Sequence, residues 1–294
     1  MTEIEVVDGR AAAKRDRPLI SIIVAVLNGV STLSHCIDSV AGQTLRDVEL
    51  VIKDGASTDG TLEVLRKRAS NIAHWETGPD AGIFAAWNNA IRAARGEWLL
   101  FLGADDYLHS DDALERASAH IAVSSPSVQV LYGRLEIVTH DGVVIDILGR
   151  PWPESRRQHM QMMALPHAAV LYRRNVFERF GLFDETYRIA GDYEFLLRAL
   201  RASEARYMPD VLVASMQVGG LSLNPTQSWK ALSETYRARR KHVSRWPAPL
   251  WLFAVAKVAV RITLWRILGE QHARRCLDFL RRLAGLPPYW TVAK

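Results

Sequence analysis

Carboxylates are the side chains whose placement in this chain could do chemistry. Asp105 and Asp106 stand together at the end of the apolar run Trp98-Leu99-Leu100-Phe101-Leu102, separated from it only by Gly103 and Ala104. Adjacent acids repel, and beside an apolar core they lack the water that would spread their charge. A divalent cation at that point would relieve both and would let the pair handle an anionic ligand. Asn28, Asp54 and Asp80 also follow short apolar runs: "LISIIVAVL", "VELVIK" and "IAHWE". A further acid, Asp192, comes after Gly191 at the start of the helix-like segment "GDYEFLLRALRA". A helix dipole favours its ionised form and burial opposes it, a balance suited to taking a proton from a hydroxyl group.

The elements that must position these residues are readable from periodicity. Strands are predicted at 19–27, 48–53, 72–76 and in the stretch 97–108. Helices are predicted from Ser31 to Gln43, over 61–69 with Asp59 as a cap, and over 82–95 up to Gly96. Apolar strands alternating with helices predict an α/β fold with a mostly parallel sheet covered on both faces. Ligands of such sheets bind beyond the carboxyl ends of the strands. Asn28, Asp54, Asp80, Asp105 and Asp106 would therefore meet in one crevice. After residue 128 the pattern changes to paired strands turning at Asp141-Gly142, a strand at 166–174, a helix at 191–202 and a strand at 205–216.

The chain has 294 residues, 49% hydrophobic and 23% charged, enough for one large domain plus an appendage. Its two cysteines, Cys36 and Cys276, form no metal-ligand spacing and suit a reducing compartment. Residues 1–17 lack an apolar core between basic flanks and read as a mobile tail rather than a secretory signal. The net charge of +5 conceals a split: residues 231–294 hold 13 Lys+Arg against 3 Asp+Glu, and the rest holds 24 against 29. Within 247–285, Lys257, Arg261 and Arg266 recur on about one helical face, followed by Arg274, Arg275, Arg281 and Arg282. The charges disfavour a spanning helix, so an amphipathic helix on an anionic membrane surface is expected. A helical hairpin completing the core, or a homodimer contact, is the alternative. No nucleic-acid recognition motif accompanies the basic residues.

Three blocks in order, "ISIIVAVLNG" through "KDGASTDGTLEVL", "GPDAGIFAAWNNAIRAARGEWLLFLGADD" and "FDETYRIAGDYEFLLR", resemble family 2 of the nucleotide-sugar glycosyltransferases. The resemblance spans about residues 18–222. It implies a GT-A-type sheet with flanking helices over 18–230, with a nucleotide-binding half at 18–122 and an acceptor-binding half at 123–230. Tail 1–17 precedes it, and a basic amphipathic helical extension at 231–294 follows. The implied reaction is inverting transfer of a sugar from a nucleotide-diphosphate sugar, a UDP-sugar being favoured, to a hydroxyl of a saccharide or lipid-linked saccharide. Mg2+ or Mn2+ would assist. The implied setting is bacterial cell-surface polysaccharide or glycolipid synthesis, in the cytoplasm at the inner face of the membrane.

Carried over by motif, Asp106 would hold the metal, Asp105 would lie near the ribose, and Asp54 would read the base. Asn28, Asp80 and Asn88 would complete the nucleotide site. Asp192 would be the catalytic base, with Glu194 as the alternative. His167 would line the sugar pocket, Asp184-Glu185 would support the fold or touch the acceptor, and Gly219-Gly220 would form a flexible lid that approaches the donor or acceptor. The chain departs from the pattern at Lys53, Ala56, Ala85 and Gly103. Those departures support a rival reading, a degenerate transferase that binds nucleotide sugars or scaffolds membrane partners without turnover. A sugar nucleotidyltransferase would need a glycine-rich basic loop after the first strand, and "LNGVSTLSHC" offers none.

Overall fold

The computed structural model describes residues 5–8, 17–201, 203–218, 227–283, 285 and 287–291. In the first half, β2 (Ile20–Val26), β3 (Val48–Asp54), β4 (His74–Thr77) and β5 (Trp98–Gly103) run parallel in the order β4-β3-β2-β5. Helices α1 (Leu33–Ala41), α2 (Thr61–Lys67) and α3 (Ile83–Ala93) connect them, and α4 (Ala113–Ala122) follows the short β6 (Tyr107–Leu108). Alternation along β2 divides the core. Ile20, Ile22 and Val24 join one apolar cluster with α1 and α4, while Ile23 joins the other with α3. The order reverses at β2, the place where such sheets open a crevice.

The sheet then continues into the second half instead of stopping. β9 (Val170–Arg173) pairs antiparallel with β5 and with β7 (Val130–Val138). β7 carries the expected hairpin partner β8 (Val144–Leu148), and β10 (Ala205–Gln217) lies parallel to β7. The 128–148 hairpin and the 205–216 strand are thus found close to their expected places. α5 (Trp152–His159), α6 (Asn175–Phe180) and α7 (Gly191–Leu200) belong to this half. His167 to Ala169 form a 3-10 turn before a shortened β9.

Two expected boundaries differ. Residues Glu5–Asp8 form β1, an edge strand on β4, because Val7 packs on the core and Glu5 pairs with Arg66 at 2.5 Å. The 230/231 boundary falls inside α8 (Ser228–His242), which packs on α7, so the basic extension is continuous with the fold. α9 (Pro249–Leu283) kinks at Gly269, whose φ of 73° and ψ of 164° break the helical path. Arg261 does not share an outward face with Lys257 and Arg266. It is buried, bonds the Ser228 hydroxyl at 2.5 Å and stacks toward Trp265 and Trp290.

Candidate active site

The loops after the parallel strands are joined to one another. The Asn28 amide donates to Ser57 Oγ at 2.7 Å, and Asn28 Oδ1 accepts from the Thr58 amide at 2.9 Å. The Gly29 amide donates to Thr61 Oγ1, and the Val30 amide donates to Asp59 Oδ2. Asp59 also accepts from the Thr61 amide at 3.1 Å and so braces the start of α2, but the N-cap position itself is Gly60, without a side-chain cap. Asn28 and Ala56 take φ values of 54° and 66°, a left-handed conformation that costs a non-glycine residue on the order of 1 kcal/mol, and these bonds hold it.

The chain of contacts runs around the rim. Gly29 lies against Ala104, since a Cβ on it would stand 3.6 Å from the Ala104 methyl. A Cβ on Gly55 would stand 3.0 Å from Asp80 Oδ2, and one on Gly82 would stand 2.6 Å from Arg188 Nη1. A Cβ on Gly191 would strike the Phe84 ring at 2.7 Å. Asn28, the 54–61 turn, Asp80 and the β5 tip therefore adjoin one another along one rim, and the turn before α7 reaches it through Arg188.

Not every expected residue faces it. Asp54 is fully buried, and its carboxylate accepts from the Ser57 amide and hydroxyl and from Thr77 Oγ1, at 3.1, 2.5 and 2.5 Å. It shapes the turn from within and does not present an edge to a base. Asn88 is also buried. Its amide nitrogen donates to Phe183 O and Glu185 Oε1, and its oxygen accepts from the Phe183 amide at 3.0 Å. It clamps α3 to the 183–185 loop and is not a nucleotide contact. Glu194, the alternative base, is buried with Arg198, Lys241 and His242 within 3.1 Å. These partners lower its pKa against the opposing effect of burial, which ranks first, so it is an ion-pair anchor and not a base. Lys53 is likewise internal, its ammonium donating to the carbonyls of Asp54 and Gly78 at 2.8 and 2.7 Å. Gly219 and Gly220 lie outside the described residues.

The acids that remain incompletely partnered are informative. Asp106 is buried, and its Oδ2 accepts from the Gly103 amide at 3.1 Å. Among the described residues, its Oδ1 is buried without a hydrogen bond. Burial, then the neighbouring Asp105 charge, push its pKa up to about 7, offset in part by the Gly103 and nearby Gln217 amides. Gly103 is what allows this: a Cβ there would lie 2.7 Å from Asp105 Oδ1 and 2.8 Å from Asp106 Oδ2. The glycine is therefore a fit to the folded-back acid pair, not a lost polar contact.

Among the described residues no third His, Cys, Asp or Glu joins the pair as a metal cage. A bare carboxylate oxygen beside a second acid still fits Mg2+ or Mn2+. Such hard ions are commonly held by one or two carboxylates, the remaining positions going to substrate phosphates and water.

Asp192 sits in the first turn of α7, with Oδ1 accepting from the Tyr193 amide at 2.8 Å. Burial, and then the Glu234 charge, raise its pKa to about 6. Glu234 accepts the amides of Arg188, Ile189 and Ala190 at 2.8 to 3.1 Å, holding the turn before α7. His167 stacks on Trp87 and Phe101 at 4.9 and 5.5 Å, and burial lowers its pKa to about 3, so it is a neutral ring. Arg188 and Glu234 escaped the sequence reading. Arg188 carried the faint signal of lying four residues before Asp192, and Glu234 carried none. A cleft of about 410 Å³ lined by Arg17, Glu97, Arg173 and Arg174 lies elsewhere and includes none of the rim acids.

A parallel sheet with an order reversal, an incompletely partnered acid pair at a strand tip and a half-buried acid at a helix start match a GT-A-type glycosyltransferase architecture. The chain belongs to the glycosyl transferase family 2, whose model matches residues 21–187. A PGL/p-HBAD biosynthesis glycosyltransferase of Mycobacterium tuberculosis is 36% identical over 214 residues, covering 70% of this chain and 79% of that protein. The S. aureus TarS structure with UDP-GlcNAc has a TM-score of 0.61 at 21% identity, covering 92% of this chain and 73% of TarS. The mannosyltransferase PcManGT from Pyrobaculum calidifontis, with GDP-Man and Mn2+, has a TM-score of 0.60 at 19% identity, covering 97% and 84%. Among the described residues, no helix is long and apolar enough to cross a membrane.

Proposed function

We propose that this glycosyltransferase transfers a sugar from a nucleotide-diphosphate sugar to an acceptor hydroxyl with inversion, in one displacement. The observation that carries the reading is the contrast of two carboxylates on one rim: Asp106 buried with a bare oxygen, and Asp192 half-buried with its pKa raised to about 6. Asp105 and Asp106 would hold Mg2+ or Mn2+, and the ion would supply Lewis-acid stabilisation of the leaving diphosphate. Arg188, over Gly82 on the rim, adds a positive charge for the same phosphates. Asn28, Asp80 and Asp105 contact the nucleoside. Asp192 accepts the proton of the attacking hydroxyl, and a pKa near 6 keeps it ionised at neutral pH while still basic. His167, neutral within the aromatic cluster, forms an apolar wall for the sugar.

The TarS and PcManGT ligands support a nucleotide-sugar donor and a divalent ion, with a UDP-sugar favoured. The mycobacterial relative supports a saccharide or lipid-linked acceptor in surface glycolipid or polysaccharide synthesis. The exposed side chains of α9 support peripheral contact with an anionic membrane face: Phe253, Ile267 and Leu283 are 63, 73 and 70% exposed beside Lys257, Arg266, Arg275 and Arg282. The test is Asp192→Asn. Calorimetry should show UDP and Mn2+ binding nearly intact, while UDP release from a panel of UDP-sugars with saccharide acceptors falls roughly 10²- to 10⁴-fold. Turnover at the unmodified rate would overturn the assignment.

A further inference from the structure

We propose that Glu234, on α8, is the positioning residue for Asp192: its carboxylate clasps the three backbone amides leading into α7 and so fixes how that helix presents its first-turn acid. The proposal rests on the reading of Asp192 as the base. Glu234 Oε2 accepts from Ile189 and Ala190 at 2.8 and 2.9 Å, and both of its oxygens lie within 3.1 Å of the Arg188 amide. Helix starts leave amides without intrahelical partners, and α7 has no side-chain cap of its own. A buried carboxylate from another helix accepts the N-cap amide of Ala190 and the two loop amides before it.

The clasp is one part of a wider brace. The Arg237 guanidinium lies 3.6 Å over the Tyr187 ring and donates to Thr186 Oγ1 at 3.0 Å. Lys241 and His242 hold Glu194, in the same first turn of α7. All of these α8 residues lie beyond the 21–187 match, so the segment outside the family match holds the turn that carries the base. At the other face of that turn, Gly191 admits the Phe84 ring where any Cβ would collide. Asp192 is thus gripped from α8 on one side and α3 on the other.

Glu234 also bears on Asp192 electrostatically. The titratable groups that act on Asp192 are the Glu234 charge from α8 and the Tyr172 phenol from β9. Burial raises the Tyr172 pKa, so the phenol stays neutral, as does the His167 ring beside it. Glu234 is therefore the anion that disfavours an early loss of the Asp192 proton.

The experiment compares Glu234→Gln and Glu234→Asp with the unmodified enzyme. It measures UDP release from UDP-sugars between roughly pH 5 and 8, UDP and Mn2+ binding by calorimetry, and thermal melting. Glu234→Gln should bind UDP and Mn2+ within about twofold, lose roughly tenfold or more in kcat, and move its acid limb to lower pH. Glu234→Asp, with the charge kept and the reach shortened, should fall between the two in kcat with the limb in place. A kcat that is unchanged in Glu234→Gln overturns the proposal, and so does a lowered kcat with an unmoved limb. If Glu234→Gln fails to fold, Glu234→Asp decides alone, and an unmodified kcat in that variant overturns it. Asp192→Asn separates the two ideas. Retained turnover there defeats the base reading itself, whereas its collapse beside a normal Glu234→Gln defeats only the positioning role.

Discussion

The turn after β3 and the tips of β5 and α7 all carry acids, but the protein treats them in opposite ways. In the first region, Asp54 and Asp59 each accept three hydrogen bonds from nearby donors. In the second, among the described residues, Asp106 keeps a buried oxygen without a hydrogen bond, and the half-buried Asp192 accepts from the Tyr193 amide beside it. Burying an acid without partners is costly, so it persists where a ligand completes the set. The comparison separates acids that build the rim from acids that wait for substrate, and motif matching alone places both in one class.

The largest effect should separate Asp106 from Asp54. Asp106→Asn should cut turnover by a factor of hundreds or more, since metal stabilisation of a leaving group contributes on the order of several kcal/mol. Its melting temperature should hold or rise, because a buried repulsive charge is gone. Asp54→Asn should show the reverse pattern: about 1–3 kcal/mol of stability lost through a mispaired buried group, with a much smaller change in turnover. Equal turnover losses in the two variants would erase the distinction.

Much of the second region was legible from sequence. The apolar run into Gly103-Ala104-Asp105-Asp106 marks a buried strand ending in repelling acids, and Gly191-Asp192 marks a helix start. The strands emerged from periodicity, and their convergence followed from topology. What remained hidden depends on tertiary proximity. Glu234 gains its role only because α8 folds back on the turn before α7. Asn88 sits in a motif, yet helical phase turns it inward onto the 183–185 loop. The departures at Lys53 and Gly103 looked like losses until the carbonyls of Asp54 and Gly78, and the folded-back carboxylates, were seen around them.

The pH dependence sharpens the same comparison with a more moderate effect. Asp192 and Asp106 are raised from 3.8 to about 6 and about 7, so both are more easily protonated in the folded state than in the unfolded chain. Their contribution to stability is therefore fully present below about pH 4 and is lost as pH rises through 6 and then 7. Turnover moves the other way, since the base must be ionised: kcat should fall by about tenfold per unit below pH 6. Melting curves of the metal-free protein should show stability declining across that window, and Mn2+ with UDP should offset the decline at its upper end by neutralising Asp106. A melting temperature that climbs with pH from 4 to 7 through these two groups would contradict their assignment as under-partnered acids.

A smaller effect applies the comparison to the helical extension. Lys257 and Arg266 are exposed on α9, whereas Arg261, at the same apparent periodicity, points inward to Ser228 and Trp290. Each exposed cation near an anionic bilayer contributes on the order of 1 kcal/mol, so removing one weakens binding by about fivefold. Lys257→Ala and Arg266→Ala should each weaken cosedimentation with phosphatidylserine-containing vesicles by that factor, and the loss should shrink as salt shortens the screening length. Binding to vesicles of phosphatidylcholine alone should change little, because the apolar side chains of α9 remain. Arg261→Ala should do the opposite. It removes a buried guanidinium from the α8–α9 contact, so the melting temperature falls while vesicle binding by the folded protein stays near its original strength. If Arg261→Ala instead weakens vesicle binding as much as the two exposed cations do, then α9 meets the membrane through a different face.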